Sequence, residues 1–389
     1  MYHHQSINRR SFLVSIGGLA VSQLLIGCSN NKQAKLNVQL LKDSIPAQLV
    51  DKFRKSLQKQ VELKFSPVSQ IQDAFKQLQT WQQQPQSKEN NWWSRLIPFR
   101  RSQTSELANL MTLGDYWLQT AIAQQLIQPI ESPQLKNWSG LDARWQQLVT
   151  RNDQGFLDPQ GKVWAAPYRW GSTVIVYNRE KFQGLGWQPE DWSDLWREEL
   201  RSHFSLLDQP REVIGLVLKK LGKSYNTENL DAVPQLAAEL QALNQQVKFY
   251  SSNTYLEPLI MGDTWLAVGW SSDIVPTLSR YPQLSMVIPR SGTAIWADLW
   301  VSPKGAAKDD LSSQWIDFCW QPNIAKQITL NTKSNSPMVK DITASEVDGA
   351  FASLLLNNSE IFNKSEFLLP LSPEVNKKYE TLFAKIKGL

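Results

Sequence analysis

The amino-acid sequence predicts an α/β fold in which two doubly wound lobes are joined by a hinge and enclose a cleft. Strand-like and helix-like patterns alternate along most of the chain, which is typical of a parallel sheet covered by helices. The alternation starts again after a strand-like run that contains Gly171, and later segments return to the first lobe, so the lobes are connected more than once. A chain of 389 residues with 42% hydrophobic residues is long enough for two such cores.

The first lobe is predicted to comprise residues 36–171 and 298–344. Three strand–helix pairs open it, with strands at 36–40, 61–65 and 107–113 and helices at 49–57, 71–78 and 118–126. Their apolar residues recur with the periods of a strand and of a helix. Ligands bind beyond the carboxyl ends of the strands in such sheets, and Asp43, Asp115 and Tyr116 follow two of these ends.

Residues 81–106 interrupt the alternation with a glutamine-rich stretch, followed by Trp92, Trp93 and basic residues. We interpret this stretch as an inserted loop that packs its own aromatic side chains against the lobe. The alternative is that its aromatic and basic half contacts a membrane surface or a partner protein.

The second lobe is predicted to comprise residues 172–297 and 345–389. Gly171 permits a bend in its strand-like run, and we place a crossing between the lobes there. The sequence then predicts helices at 192–196, 211–221 and 230–243 and strands at 205–208 and 265–270. Pro210 and Gly222 mark the two ends of the middle helix. Helices at 311–320 and 322–330 are assigned to the first lobe, and the mostly helical tail after residue 340 returns to the second.

The strand predicted at residues 295–301 carries the strongest candidate for a binding site. Side chains alternate between the faces of a strand, so Trp296, Asp298 and Trp300 share one face and apolar residues share the other. An unpaired carboxylate between two indoles is costly to bury. A cationic guest resolves this conflict, because the carboxylate supplies the counter-charge and indole faces attract cations. The alternative is that Asp298 caps or pairs locally and that both tryptophans lie in the core.

The N-terminus carries an export signal. Residues 8–13 form a twin-arginine pattern, and the apolar run 14–26 is too short to span a bilayer. The run ends in Leu25-Ile26-Gly27-Cys28, which resembles the lipobox of bacterial lipoproteins. We predict that residues 1–28 are a lipoprotein signal peptide, that Cys28 is lipidated and that residues 29–35 are a tether. The alternative is a simple signal peptide with a chance cysteine.

The mature protein is therefore predicted to lie in the periplasm, where a lipid on Cys28 anchors it to a membrane. No later segment is long and apolar enough to cross a bilayer. Cys319 is the only other cysteine, and a single thiol forms no internal disulfide.

The composition disfavours several classes of function. The net charge is +5, to which the leader contributes Arg9 and Arg10, so nucleic-acid binding has little support. The nine tyrosines include no adjacent pair, and His203 is the only histidine beyond the leader, which disfavours ferric-ion capture and other metal sites. The scarcity of histidine also leaves nucleophilic catalysis without a visible base. The sequence predicts neither an enzyme nor a cofactor.

Six sequence blocks, in matching order and with matching spacing, point to a known family. The blocks are Pro167-Tyr-Arg-Trp-Gly-Ser-Thr, Asp191-Trp-Ser-Asp-Leu-Trp, Asp208-Gln-Pro-Arg-Glu-Val, Ile260-Met-Gly-Asp with Val268-Gly-Trp, Trp296-Ala-Asp298, and Gln321-Pro-Asn-Ile-Ala-Lys-Gln. On these blocks the chain resembles the spermidine/putrescine-binding proteins of bacterial ABC transporters, within the family 1 extracellular solute-binding proteins. The resemblance implies a type II periplasmic-binding-protein fold that closes on a solute and delivers it to a permease.

The resemblance also implies a set of ligand-binding residues. The acidic positions of the family fall on Asp43, Glu212 and Asp298, and its aromatic pair falls on Trp270 and Trp296. All five are candidate contacts for the amino groups of a solute.

The chain departs from the family pattern at several of these positions. Gln209 replaces a fourth acid, Leu41 replaces a tryptophan and Ser334 replaces a tyrosine. Asp115 ends the tripeptide that stands in place of a Ser-x-Tyr pattern, and Tyr116 follows it. Asp115 is therefore placed to restore the charge that is lost at Gln209.

Structural roles compete with binding at four of the candidate positions. Glu212 lies in the first turn of a helix that Pro210 opens, where a carboxylate stabilises the helix dipole without any ligand. Asp43 and Asp115 precede predicted helices and are candidates for helix caps. Trp270 ends a buried strand and is a candidate for the core.

Taken together, the residues and the resemblance predict the substrate-binding lipoprotein of an ABC importer. It is expected to be a monomer that captures a small cationic solute, such as putrescine or spermidine, and delivers it to its permease. One alternative is the same fold with an amino acid, zwitterion or anion as solute, since the helix end beside Glu212 favours anions. Another is a membrane-tethered interaction protein that acts through residues 81–106.

Overall fold

Strands and helices alternate, as the sequence predicts, through the residues that the computed structural model describes, which are 34–83, 106–339, 342–347, 351–352 and 359–388. The chain divides into two units, Met1–Gln33 and Ala34–Leu389, and all described residues belong to the second. The predicted signal peptide with Cys28, the tether up to residue 33 and residues 84–105 of the predicted insertion lie outside the described residues. Lys35, which the sequence assigns to the tether, is already part of the first strand.

The strands of the described residues are, in chain order, β1 (Lys35–Leu41), β2 (Glu62–Val68), β3 (Leu110–Gly114), β4 (Ile127–Gln128), β5 (Thr150–Arg151), β6 (Lys162–Val163), β7 (Ala166–Asn178), β8 (Phe204–Leu206), β9 (Phe249–Tyr250), β10 (Leu266–Trp270), β11 (Leu284–Val287), β12 (Ala294–Pro303) and β13 (Glu366–Phe367). The helices are α1 (Ala47–Ser56), α2 (Ile71–Gln83), α3 (Asp115–Ala123), α4 (Ala143–Val149), α5 (Arg179–Leu185), α6 (Pro210–Lys220), α7 (Leu236–Gln246), α8 (Leu256–Met261), α9 (Ser271–Leu278), α10 (Asp310–Cys319), α11 (Pro322–Thr332), α12 (Ser359–Lys364) and α13 (Pro373–Lys387).

Two long strands, β7 and β12, connect all parts of the main sheet. Its order is β2-β1-β3-β12-β7-β10-β8-β9, with β11 beside β7 and with β4 and β13 beside β12. The strands β1, β2 and β3 are mutually parallel, as are β8, β9 and β10. The central pair β7 and β12 runs antiparallel, and both strands also run antiparallel to their outer neighbours β10 and β3. Gly171, where the sequence predicts a crossing between the lobes, lies within β7.

The strand β12 is buried on both faces. The prediction that one face is apolar and the other lines a binding site was therefore wrong. Trp300 is fully buried and stacks on Tyr168 with 4.2 Å between the ring centroids. The register of β12 against β7 shifts between Asp298 and Leu299, because Tyr168 is an additional residue on β7 at this point. Such a bulge redirects side chains locally, so simple alternation does not describe β12. Trp300 belongs to the core.

Three clusters of buried apolar side chains form the core of the described residues. The first packs α1, α2, α3, α10 and α11 on β1, β3 and the centre of β12. The second packs α6, α7 and α13 on β8 and β10, and the third packs α9 against β7 and β11. The helices α10 and α11 therefore share a cluster with β1 and β3, and the final helix α13 shares one with β8 and β10. The division into two lobes stays a prediction.

Three predicted elements differ in detail from the structure. Residues 230–243 were predicted as one helix, but a 3-10 turn (Leu230–Ala232) precedes α7, because Pro234 lacks the backbone N–H that a helix interior needs. Trp192–Trp196 is a 3-10 helix rather than an α-helix. The strand predicted at 205–208 ends at Leu206.

None of the helices within the described ranges is long and apolar enough to cross a membrane.

Candidate functional site

Asp298 forms a buried ion pair with Arg169, directly across the β7–β12 pair. The Arg169 Nε and Nη2 atoms donate to Asp298 Oδ2 at 2.8 and 2.5 Å, and each side chain is 8% exposed. Burial alone would lower the pKa of Arg169, but the charge of Asp298 and other neighbours outweighs it, so the net pKa is raised and the guanidinium stays charged. The premise that Asp298 is an unpaired charge was therefore wrong. The alternative of a local cap or pair does not describe this residue either, because its partner stands 129 positions earlier in the chain.

Trp296 lies beside this ion pair and fills the space above Gly171. A Cβ atom on Gly171 would overlap the Trp296 indole and the Ser271 hydroxyl, so only glycine fits at this position of β7. The Trp296 side chain is half-buried, and its Nε1 has no hydrogen-bond partner among the described residues. The sequence associates Gly171 with a bend in the strand, whereas in the structure the absence of a side chain at Gly171 leaves space for the Trp296 indole.

Glu212 is buried at the start of α6, next to the end of β10. The Thr173 hydroxyl donates to it, with 3.0 Å to either carboxylate oxygen, and the Trp270 Nε1 donates to Oε1 at 3.4 Å. Burial raises the pKa of Glu212 to about 7, and these hydrogen bonds and Arg211 only partly oppose it. The structure thus brings together Glu212 and Trp270, two residues that the sequence singled out separately.

Asp115 is a second buried carboxyl group with a raised pKa. It is the first residue of α3, and its Oδ1 accepts a hydrogen bond from the Ala297 backbone N–H of β12 at 3.1 Å. Burial raises its pKa to about 7, the Ala297 N–H and Arg151 lower it, and the charge of Asp298 raises it further. The N-cap of α3 is Gly114, so the interpretation of Asp115 as the cap was wrong.

A cavity of about 260 Å³ opens beside Asp115 and Tyr116. It lies between the start of α3, the start of α6 and the segment that leads into α13. Its polar lining includes Asp115, Tyr116, Arg151, Gln209, Arg211 and Glu380. Tyr116 is 54% exposed, so its phenol is accessible to a solute. Of the seven predicted site residues, Asp115 and Tyr116 line this cavity directly.

Asp43 lies in an exposed turn after β1 and does not line the cavity. Its backbone φ is 61°, a left-handed conformation that Asp tolerates better than most residues. The N-cap of α1 is Pro46, without a side-chain cap, so the helix-cap interpretation of Asp43 was wrong. A role in binding stays a prediction for this residue.

Three arginines near the site were missed by the sequence reasoning. Arg151 is buried, and its Nε and Nη1 donate to the backbone carbonyls of Leu148 and Gly155. The Nη1 and Nη2 of Arg211 donate to the Leu369 carbonyl at 3.1 Å and to Asn226 Oδ1 at 2.9 Å. Arg169 stands within one of the quoted sequence blocks, but only the strand register places it opposite Asp298.

Asp298, Asp115 and Glu212 are thus three buried carboxylates among the predicted site residues, and each lies near an indole or a guanidinium group. Asp298 is neutralised by Arg169, whereas no guanidinium group of the described residues donates a hydrogen bond to Asp115 or Glu212. A carboxyl group with a pKa near 7 ionises when a positive charge approaches it. The arrangement suits the binding of a small charged solute, and it contains no nucleophile with an adjacent base.

A sequence profile of bacterial extracellular solute-binding proteins matches residues 105–353. The match extends over more than half of the chain and includes β7, β12, α3 and α6, which build the site. The chain belongs to the bacterial extracellular solute-binding proteins, and its family membership, predicted from the sequence blocks, is confirmed.

Curated relatives carry names of polyamine-binding proteins. The chain is 30% identical over 200 residues to the putrescine/cadaverine-binding protein of Pseudomonas aeruginosa, covering 47% of this chain and 55% of the relative. It is 28% identical over 228 residues to a putrescine-binding periplasmic protein of Escherichia coli, covering 55% and 60%. It is 24% identical over 282 residues to the spermidine/putrescine-binding periplasmic protein of Salmonella typhimurium, covering 72% and 77%. The chain thus spans less than two thirds of the length of the first two relatives.

Solved structures with the same fold cover nearly the whole chain. A spermidine/putrescine ABC transporter substrate-binding protein of Streptococcus pneumoniae has a TM-score of 0.73 at 20% identity, covering 92% of this chain and 99% of that one. A lipoprotein of Treponema pallidum has a TM-score of 0.67 at 16% identity, covering 91% and 100%. These similarities confirm the predicted α/β fold of the type II periplasmic binding proteins.

Proposed function

We propose that this protein is the substrate-binding component of an ABC importer and that it captures a small cationic solute with amino groups. The names of the relatives support an amine, and the fold supports capture of a small molecule. Of the predicted site residues, Asp115, Tyr116, Glu212, Trp270 and Trp296 are proposed to contact the solute.

The Glu212 carboxyl group is the observation that carries this proposal. It is buried between the Thr173 hydroxyl and the Trp270 indole, and burial raises its pKa to about 7. An ammonium group that approaches it favours the ionised form, so binding and ionisation reinforce each other. The indoles of Trp270 and Trp296 add cation–π attraction of about 0.5–2 kcal/mol each. Asp115 offers a second carboxylate of the same kind.

Binding measurements on the mature protein test the proposal. With Cys28 replaced, calorimetry at pH 8 against putrescine, cadaverine and spermidine is expected to give a Kd at or below about 1 µM, which corresponds to roughly −8 kcal/mol. Glu212→Gln removes the buried negative charge and is expected to weaken binding more than tenfold. Glu228→Gln, at an exposed acid, is the matched control. Equal affinities of the two variants would contradict the role of Glu212.

Arg211 supports a second candidate, an anionic or zwitterionic solute. It lines the cavity at the N-terminal end of α6, where backbone N–H groups favour anions. A guanidinium group also suits the planar geometry of a carboxylate. Amino acids and simple dicarboxylates therefore belong in the same calorimetric panel, and binding of these without binding of amines would favour this candidate.

The remaining parts of the proposal concern the location and the partner. Export through the twin-arginine leader, lipidation at Cys28 and delivery of the solute by a monomer to a permease follow from the sequence predictions. The extracellular character of the family supports a location outside the cytoplasm, and the lipid anchor is proposed from the sequence alone. The proposed protein has no catalytic step, no cofactor and no nucleic-acid partner.

A further inference from the structure

The Arg169–Asp298 ion pair places a positive charge of the protein itself inside the candidate site. Both donating nitrogens of Arg169 contact the same oxygen, Asp298 Oδ2, at 2.8 and 2.5 Å. The two residues are partners in the β7–β12 register, so both backbones hold them opposite each other in the middle of the sheet. This geometry is fixed by two central strands rather than by a mobile loop.

The ion pair belongs to the site through its neighbours. Asp298 raises the pKa of Asp115, which lines the cavity. Asp115 also accepts a hydrogen bond from the backbone N–H of Ala297, the residue before Asp298 on β12. Trp296, two residues before Asp298, lies over Gly171 next to the first residue of α9. Asp298, Asp115 and Glu212 are all buried, and Asp298 and Asp115 are linked through β12.

An amine of the solute cannot replace Arg169 without a large cost. Each side chain of the pair is 8% exposed, so a displaced guanidinium would remain buried without its counter-charge. Removal of one partner from a buried ion pair is strongly unfavourable. Asp298 therefore stays paired with Arg169, and the buried negative charge that is available to a solute comes from Asp115 and Glu212.

We propose that Arg169 is a specificity-determining residue, a built-in cation that occupies the amine position at Asp298 and restricts the solute to two positive charges. This inference rests on the proposed function and names its substrate class. The site favours a short diamine over a linear triamine, because Asp298 is not available as a third buried carboxylate for a third ammonium group.

Calorimetry with putrescine as the diamine and spermidine as the triamine tests this inference. The wild type is expected to bind putrescine at least as tightly as spermidine. Arg169→Met frees Asp298 and is expected to raise the affinity for spermidine relative to putrescine at least tenfold. The double variant Arg169→Met, Asp298→Asn removes both charges and is expected to return this ratio to the wild-type value. Arg169→Gln replaces Arg169→Met if the methionine variant does not fold, since glutamine retains a hydrogen bond to Asp298.

The outcomes separate this inference from the proposed function. If the wild type binds amines and its spermidine-to-putrescine ratio is unchanged in a folded Arg169 variant, the inference is overturned and the proposed function stands. If the wild type binds neither amine but Arg169→Met gains spermidine binding, the proposed function is contradicted and the role of Arg169 is supported. Tenfold tighter binding of spermidine than of putrescine by the wild type overturns the inference without any variant.

Discussion

At the residue scale, the protein depends on how its buried charges are compensated. Asp298 stands out in the sequence as a carboxylate between two tryptophans, but its counter-charge comes from Arg169, 129 positions earlier in the chain. Glu212 and Asp115 are compensated by hydrogen bonds from Thr173 and from a backbone N–H instead. We expect this difference to separate Asp298, which is committed to an ion pair, from Asp115 and Glu212, which are proposed to bind the solute.

Asp298→Asn is expected to destabilise the folded protein by about 3 kcal/mol, because Arg169 is then buried without its counter-charge. Urea unfolding at pH 7.5 measures the change. Lys308→Gln is the matched control, since its ion pair with Glu131 is exposed (66% and 51% for the two side chains) and contributes less than about 1 kcal/mol. A loss no larger than that of the control would show that the buried pair adds little.

The pKa of Glu212 makes the stability of the ligand-free protein depend on pH. The folded-state pKa is about 7, against roughly 4.3 in an unfolded chain. Between these values the folded state holds a proton that the unfolded state has released, so stability is full below about pH 4 and is lost as the pH rises through 7. Glu212→Gln is expected to reduce the fall in unfolding free energy between pH 5 and pH 8, in urea titrations at both pH values. The same slope in Glu212→Gln as in Glu228→Gln would contradict this assignment.

At the element scale, the antiparallel pairing of β7 and β12 places Arg169 opposite Asp298 and Gly171 opposite Trp296. The sequence correctly predicts both strands, the helix α6 with its proline start and the strand-to-helix turns at Asp115 and Glu212. It does not predict the bulge at Tyr168 or the stacking of that residue on Trp300. Such features depend on how two distant strands pair, and no local period encodes this pairing.

Gly171→Ala is expected to lower the free energy of unfolding by about 1–3 kcal/mol, because the added methyl group overlaps the Trp296 indole and strains the pairing of β7 with β12. Gly184→Ala is the matched control. No atom lies within 4 Å of a Cβ at Gly184 in α5, so this change is expected to be neutral or slightly stabilising. Thermal unfolding of the two variants and the wild type measures the difference. Equal melting temperatures would show that Trp296 moves freely away from Gly171.

At the scale of the whole molecule, the sequence predicts that a lipid on Cys28 holds the protein at a membrane. Lipidation at Cys28 is expected to keep the full-length protein in the membrane fraction of the producing bacterium, and Cys28→Ser is expected to release it into the periplasmic fraction. Cys319→Ser, at the buried second cysteine, is the control and is expected to stay with the membrane. Equal distribution of the wild type and Cys28→Ser would contradict a lipid anchor.

The sequence by itself determined the order of strands and helices and the class of fold, because the burial of one face imposes a period of two or 3.6 on nearby residues. The family followed from the resemblance of six sequence blocks. It also singled out Asp115, Glu212, Trp270 and Asp298. Only the tertiary structure decided which of these groups meet. The register of β7 against β12 places Arg169 on Asp298, and packing across distant segments sets the burial that raises the pKa values of Asp115 and Glu212.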